Sequence, residues 1–275
     1  MKKKTVPRSS PTDLKLLYGV NPLLEALRAG DRTPTEILVA EGTRDARLRE
    51  LIELARARNV LVKRAPRATL DRAVGNSSHQ GVMARIPAAR YASAEDLLDS
   101  IASRVGGEVE PLAVLLDGVE DPRNLGAILR TSECAGVDAV FLPERRSAGL
   151  SETAAKASAG ALEHLPVARV ANLSLLIRQL KERNVWVVGT AADAAMDYSE
   201  WDWTRASALV LGGEGAGLHR LVREHCDALV RIPVQGKIAS LNVSVAAGII
   251  LFEALRQRKS RPGDSEMKPG SAGSR

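Results

Sequence analysis

From Pro111 onward the chain repeats a pattern that few folds can satisfy, short apolar runs alternating with longer amphipathic stretches. The runs are Leu112-Ala113-Val114-Leu115-Leu116, Ala139-Val140-Phe141-Leu142, Val185-Trp186-Val187-Val188, Ala208-Leu209-Val210-Leu211 and Ala228-Leu229-Val230-Arg231-Ile232. They are nearly continuous in polarity rather than alternating. A strand of this kind must be covered on both faces, so the pattern predicts an α/β fold built on a mostly parallel sheet with helices on either side. Helices are expected at 125–135, 152–160, 172–183 and 218–225. A last one is expected at 242–258, where Val243, Ala246, Ala247, Ile250, Leu251 and Ala254 form a stripe. Arg256, Arg258 and Lys259 suit its C-terminal end.

Upstream, residues 14–87 read as a smaller α/β unit. It has a helix through Asn21–Leu27, a strand at Glu36–Ala40, a helix from Arg44 to Arg58, and strands at Val60–Val62 and Gly81–Ile86. Residues 88–110, with Ala, Ser, a Gly106-Gly107 pair and one helical stretch at 94–105, read as the linker to a larger α/β domain at 111–259. Residues 1–13 and 260–275 are polar and rich in Pro, Gly and Ser, the composition of disordered tails.

Charge divides the chain in the same place. Residues 1–67 carry 15 basic and 8 acidic side chains, whereas the remaining 208 residues are close to neutral, although the whole chain is +6. Such an asymmetry favours a partner with a negative field, nucleic acid above all, or else marks a solvated face with a basic tail. With only 3% aromatic residues, a surface that stacks successive bases is not expected, and RNA contacts should run mainly to phosphate and shape. No apolar run approaches the roughly 18–20 residues of a membrane span. Two Cys and four scattered His give neither a disulfide framework nor a metal-ligand spacing, so a cytoplasmic protein without metal is expected.

Three polar blocks follow predicted strands. The first runs from Asp117 to Thr131, with Asn124 placed to cap a helix and Arg130 six residues on, about 240° round that helix. The second, Gly212-Gly213-Glu214-Gly215-Ala216-Gly217-Leu218, allows positive φ and close backbone approach. It fails the dinucleotide fingerprint, because Leu218 stands where a small residue is required and an acid in the turn repels a pyrophosphate. In the third, Ile232-Pro233 leads to Ser240-Leu241-Asn242-Val243-Ser244, where Ser240 and Asn242 are natural caps of the final helix. Taken singly, each block reads as an ordinary cap or turn. Together they put several polar groups at the strand ends where open α/β sheets bind ligands.

In order and spacing these blocks resemble motifs 1, 2 and 3 of the SpoU (TrmH-type) RNA ribose 2′-O-methyltransferases, over about residues 113–257. Leu17-Tyr18-Gly19-Val20-Asn21-Pro22 with His79-Gln80-Gly81-Val82 resembles the small substrate-binding domain that precedes the catalytic domain in ribosomal-RNA members. The resemblance implies a trefoil-knotted catalytic domain, a homodimer formed through it, and S-adenosylmethionine (SAM) as methyl donor without a metal. The substrate it implies is ribosomal RNA, at a guanosine of 23S rRNA, with a tRNA ribose or a non-catalytic RNA-binding role as alternatives. By the same resemblance Gly212, Gly213, Gly217, Ile232 and Leu241 hold the SAM. Arg130 is expected to position a phosphate and stabilise the developing alkoxide, since a guanidinium stays charged and is a poor base. Asn124, Ser240 and Asn242 are expected to orient Arg130 and the ribose, and Glu214 to pair with Arg130 or balance the SAM charge.

Overall fold

The computed structural model describes residues 14–43, 45–75, 79–236 and 240–260. The tail at 1–13, all of the 260–275 tail except Ser260, the expected helix start at Arg44 and positions 237–239 of the third block lie outside them.

The N-terminal unit is β1 (Leu14–Tyr18), α1 (Val20–Ala29), β2 (Glu36–Ala40), α2 (Ala46–Ala57), β3 (Leu61–Ala65), α3 (Arg67–Val74) and β4 (Val82–Pro87). Its four-stranded sheet has the order β1-β4-β2-β3, with only β2 and β3 parallel. Leu23, Leu27, Ile37, Leu51 and Ile86 fill the core between α1, α2 and one sheet face. Strand β1 and helix α3 were not anticipated. The first is an edge strand with two exposed residues, and the second buries only Leu70, so neither leaves a strong periodic signal.

The larger unit comprises α4 (Ala94–Ala102), β5 (Leu112–Asp117), α5 (Pro122–Cys134), β6 (Ala139–Pro143), α6 (Glu152–Ala157), β7 (Val167–Val170), α7 (Leu173–Glu182), β8 (Trp186–Thr190), β9 (Met196–Asp197), β10 (Ser207–Gly212), α8 (Arg220–His225), β11 (Ala228–Arg231) and α9 (Val243–Lys259). All seven strands run parallel in the order β7-β6-β5-β10-β8-β11-β9. The five expected apolar runs are strands here, and β5 is buried along its whole length. Two clusters cover the two faces. One joins α5 and α9 through Leu125, Ile128, Leu129, Ile250 and Leu251, and the other joins α4 and α7 through Leu98, Ile101, Leu176 and Ile177. Residues 88–110, read above as a linker, therefore contribute a helix to the core of the parallel sheet. β7 and the two-residue β9 were not foreseen, since Arg169 interrupts one run and the other is too short to show a period.

The small sheet rests on the larger unit through α6 and the 3-10 turn Ala161–Glu163. Arg32 pairs with Glu163 at 2.6 Å and donates from Nε to the Pro87 carbonyl at 2.8 Å, and both charged side chains are largely withdrawn from solvent. Burial pushes the Glu163 carboxyl up against the pull of Arg32, and the same burial lowers the Arg32 guanidinium. Desolvation thus outweighs attraction in this pair, as expected for ions taken out of water. His164 adds a 2.9 Å contact to Glu25 on α1.

Candidate active site

Strand β5 ends at Asp117, and the turn after it begins a helix whose cap is Asp121, which accepts from Arg123 N–H at 2.7 Å with Pro122 at the first helical position. Asn124 is therefore not the cap that the sequence suggested. It lies in the first turn, buried, with its side chain turned towards the other motif blocks. Its Nδ2 donates to Glu214 Oε1 at 2.7 Å and its Oδ1 accepts from Asn242 Nδ2 at 3.0 Å. Asn242 Nδ2 also donates to Glu214 Oε1 at 2.9 Å. Asn242 does cap α9, accepting from Ser244 N–H at 2.9 Å and Ser244 Oγ at 2.6 Å. Residues 90 and 118 positions apart along the chain thus close one triangle of hydrogen bonds.

The glycines of the second block act mainly on the chain itself. A Cβ on Gly212 would stand 2.3 Å from the Gly217 carbonyl carbon, and one on Gly213 would stand 2.2 Å from Gly118 O. Gly217 adopts a φ of 65°, which L side chains rarely take up. The loop closes on itself through Gly217 N–H to Gly213 O and is tied to β5 through Gly213 N–H to Asp117 O.

This folded loop, with β8, β10, β11 and the start of α9, bounds a cavity of about 560 Å³. Gly212, Gly213, Gly217, Ile232 and Leu241 all line it, as do Glu214, Ser240 and Asn242. Its walls are aliphatic side chains, glycine backbone and a few polar groups, a donor set suited to an adenosine with a charged tail. Thr190, Ala191 and Ala192 complete the rim and were missed. They are the last residue of β8 and the two that follow it, so the strand-end rule that flagged the other loops was a signal for them too. Arg223, at the same rim, is held by Asp193 at 2.9 and 3.0 Å, hydrogen bonds that raise its guanidinium further. Cys226, behind the loop, has its thiol pushed up to about 12 by burial, with Asp227 adding to the effect. Among the described residues no group of three or more His, Cys, Asp or Glu could hold a metal ion, and no helix is long and apolar enough to cross a membrane.

Arg130 stands apart from these groups. It is exposed, and it lines a different groove of about 310 Å³ together with Glu133, the turn at 158–161, His164, and Asn21 and Glu25 of α1. That groove has no residue in common with the glycine-lined cavity. Among the described residues of this chain, Glu214 is engaged by the two asparagines, and no hydrogen bond or ion pair joins Glu214, Asn124 or Asn242 to Arg130. The 240° of helix between Asn124 and Arg130 is the physical reason.

Comparison with known proteins agrees with this architecture. The SpoU rRNA Methylase family matches residues 111–252, and an RNA 2′-O ribose methyltransferase substrate-binding domain matches residues 16–92. The 23S rRNA (guanosine-2′-O-)-methyltransferase RlmB of Escherichia coli K12 is 43% identical over 244 residues, covering 89% of this chain and 99% of that protein. RlmB of a Burkholderia species is 47% identical over 249 residues, covering 90% and 98%. The SpoU methyltransferase AviRb of Streptomyces viridochromogenes, solved in complex with AdoMet, superposes with a TM-score of 0.71 at 26% identity, covering 90% of this chain and 92% of that one. The chain belongs to the SpoU family of SAM-dependent RNA methyltransferases.

Proposed function

We propose that this protein transfers a methyl group from SAM to the ribose 2′-hydroxyl of a guanosine in 23S ribosomal RNA, working in the cytoplasm as a homodimer of knotted catalytic domains. The observation that carries the reading is the Asn124–Glu214–Asn242 triangle, which joins all three motif blocks at the edge of the glycine-lined cavity. The relatives named as RlmB supply the base and the RNA.

When bound, SAM supplies an electrophilic methyl group on a sulfonium. The chain's part is to hold donor and acceptor in line and to exclude water. Gly212, Gly213, Gly217, Ile232 and Leu241 form the donor-side wall, mostly through backbone. Glu214 carries negative charge there, fixed in direction by its two amide donors. Ser240 and Asn242 serve the ribose side. Arg130 meets an RNA phosphate between the two domains, where residues 14–87 also bring their positive charge. Support for the homodimer comes from α9, whose residues Val243–Phe252 are apolar apart from Ser244. Val245 and Phe252, seven residues apart, are about half exposed, as is Leu241 before them, on a face no other part of the described chain covers.

The test is a map of ribose 2′-O-methylation in ribosomal and transfer RNA from cells with and without the gene. The expected result is loss of one methylguanosine in 23S rRNA. Loss of a tRNA methyl group instead would move the substrate to tRNA.

A further inference from the structure

The glycine-lined cavity has two unlike ends. At one, the Asn124–Glu214–Asn242 triangle joins the motif blocks beside β5 and β10, and on the methyltransferase reading the transferred methyl group faces that end. The sheet order sets β8 and then β11 beyond β10, two strand steps or about 10 Å further on. Thr190, the last residue of β8, bounds this far end together with Ala191, Ala192 and Arg231, the last residue of β11. Arg223 of α8 stands at its rim.

One segment after β8 engages both arginines. Asp193 accepts from both Nη atoms of Arg223, at 2.9 and 3.0 Å, and Asp197 accepts from Nε of Arg231 at 2.8 Å. Each positive charge is balanced where it stands, so a cationic donor is not repelled, and the Arg223 fork has little left to offer a carboxylate. Its flat face remains unused. Because two carboxylate oxygens hold two terminal nitrogens, the plane of that guanidinium is fixed, whereas Arg231, held through Nε alone, is less constrained. The two arms of SAM differ in their needs. Its amino-acid tail requires partners for an ammonium and a carboxylate, while adenine requires apolar walls and a flat surface. Among the described residues that line the cavity none carries an aromatic ring, and Leu211, Leu218 and Val230 supply apolar walls. A guanidinium with a fixed plane is the group there that stacks on a purine.

We propose that Arg223 stacks on the adenine of SAM and that Asp193 is its positioning residue, so that the pair selects a purine nucleoside at the far end of the cavity. The proposal rests on the methyltransferase reading. It concerns binding of the donor alone, and it leaves Glu214, Ser240 and Asn242 to the reacting end.

The experiment uses the full chain with SAM and with S-adenosylhomocysteine (SAH), the donor without its methyl group. The first readout is ¹H–¹⁵N NMR of the arginine Nε–H groups, in which the Arg223 signal is identified by its absence from Arg223→Lys. A ring stacked on the guanidinium face shifts that proton upfield, whereas a ring against its edge, or a donor carboxylate in place of Asp193, does not. Adding SAH to wild type should therefore move the signal upfield. By calorimetry Arg223→Ala should bind SAM and SAH about five- to thirtyfold more weakly. Asp193→Ala, which keeps the guanidinium but frees its plane, should show a smaller loss. In turnover with a 23S rRNA transcript, Arg223→Ala should raise KM for SAM while kcat at saturating SAM stays within about twofold of wild type. A downfield or absent shift, or an Arg223→Ala affinity within about twofold of wild type, overturns the stacking assignment alone. An Asp193→Ala affinity equal to wild type overturns the role given to Asp193. A wild-type protein that binds neither SAM nor SAH overturns the assignment together with the reading beneath it. The shift is read on the wild-type protein, so it decides the matter even where Arg223→Ala does not fold.

Discussion

At the N-terminal end of α5, Asn124 is buried and locked to Glu214 and Asn242, whereas two turns further on Arg130 stands exposed at a groove whose far wall is α1 of the other domain. One short motif thus supplies two kinds of group. The amides and the carboxylate satisfy each other within the chain and form a fixed frame, at no cost when ligand arrives. Arg130 has no hydrogen bond or ion pair among the described residues, so its guanidinium is free for an incoming phosphate, which a planar fork grips in a bidentate way. The frame belongs to one domain, and the cation sits where the two domains meet. Its surroundings depend on the Arg32–Glu163 and Glu25–His164 contacts that hold the small sheet in place.

The largest effect that separates the two regions is Arg130→Ala. Methyl transfer to RNA should fall by roughly 10²-fold or more, while SAM affinity stays within a few fold, because Arg130 takes no part in the donor cavity. Lys should not rescue it. A parallel loss of SAM affinity would mean that cation and frame are one unit after all.

Next is Gly212→Val. Its side chain has no room, since even a Cβ would meet backbone of Gly217 and Leu218. The loop must open, at a cost of about 1–3 kcal/mol, and SAM affinity should fall by about tenfold or more while the RNA affinity of the small domain is kept. Calorimetry and RNA filter binding read the two separately.

Removing the small domain sharpens the comparison from the other side. The truncated chain should begin at Ser93 rather than at Glu110, because Leu98 and Ile101 of α4 are buried in the sheet's second core. It should fold and bind SAM, yet bind RNA more weakly and with a shallower salt dependence. Each lost phosphate contact removes about 0.9 from the slope of log affinity against log salt on a duplex. Equal slopes would reduce the basic excess of residues 1–67 to a solvated face.

The smallest effect concerns the thiols. Cys134 is exposed beside Arg130, and Cys226 lies behind the loop with its thiol pushed up to about 12 by burial. Alkylation at pH 8 should modify Cys134 first, and Cys226 only when the loop opens, as in Gly212→Val. Peptide mapping reads the order.

Much of this was legible in the sequence, and the misses have particular causes. Continuous apolar runs such as Leu112–Leu116 declare a strand buried on both faces, so the parallel sheet could be read directly. The mutual contact of Asn124, Glu214 and Asn242 could not be derived from spacing, because it depends on strand order. The parting of Arg130 from Asn124 was already contained in six residues of helical twist, yet the motif reading placed them together. The helix within residues 88–110 was read, but not its docking on the sheet, because only Leu98 and Ile101 of α4 are buried there. Thr190 escaped notice as the last residue of a strand, beside groups that only the fold brings near.

The account's central claim is tested most directly by incubating the purified protein with methyl-labelled SAM and either a 23S rRNA or a tRNA transcript, then digesting the RNA and locating the label by mass spectrometry. Label on the ribose 2′-oxygen of one guanosine in the 23S transcript, and none in tRNA, is the predicted result. Label on a base, or in tRNA alone, or in neither RNA despite SAM binding, would contradict it.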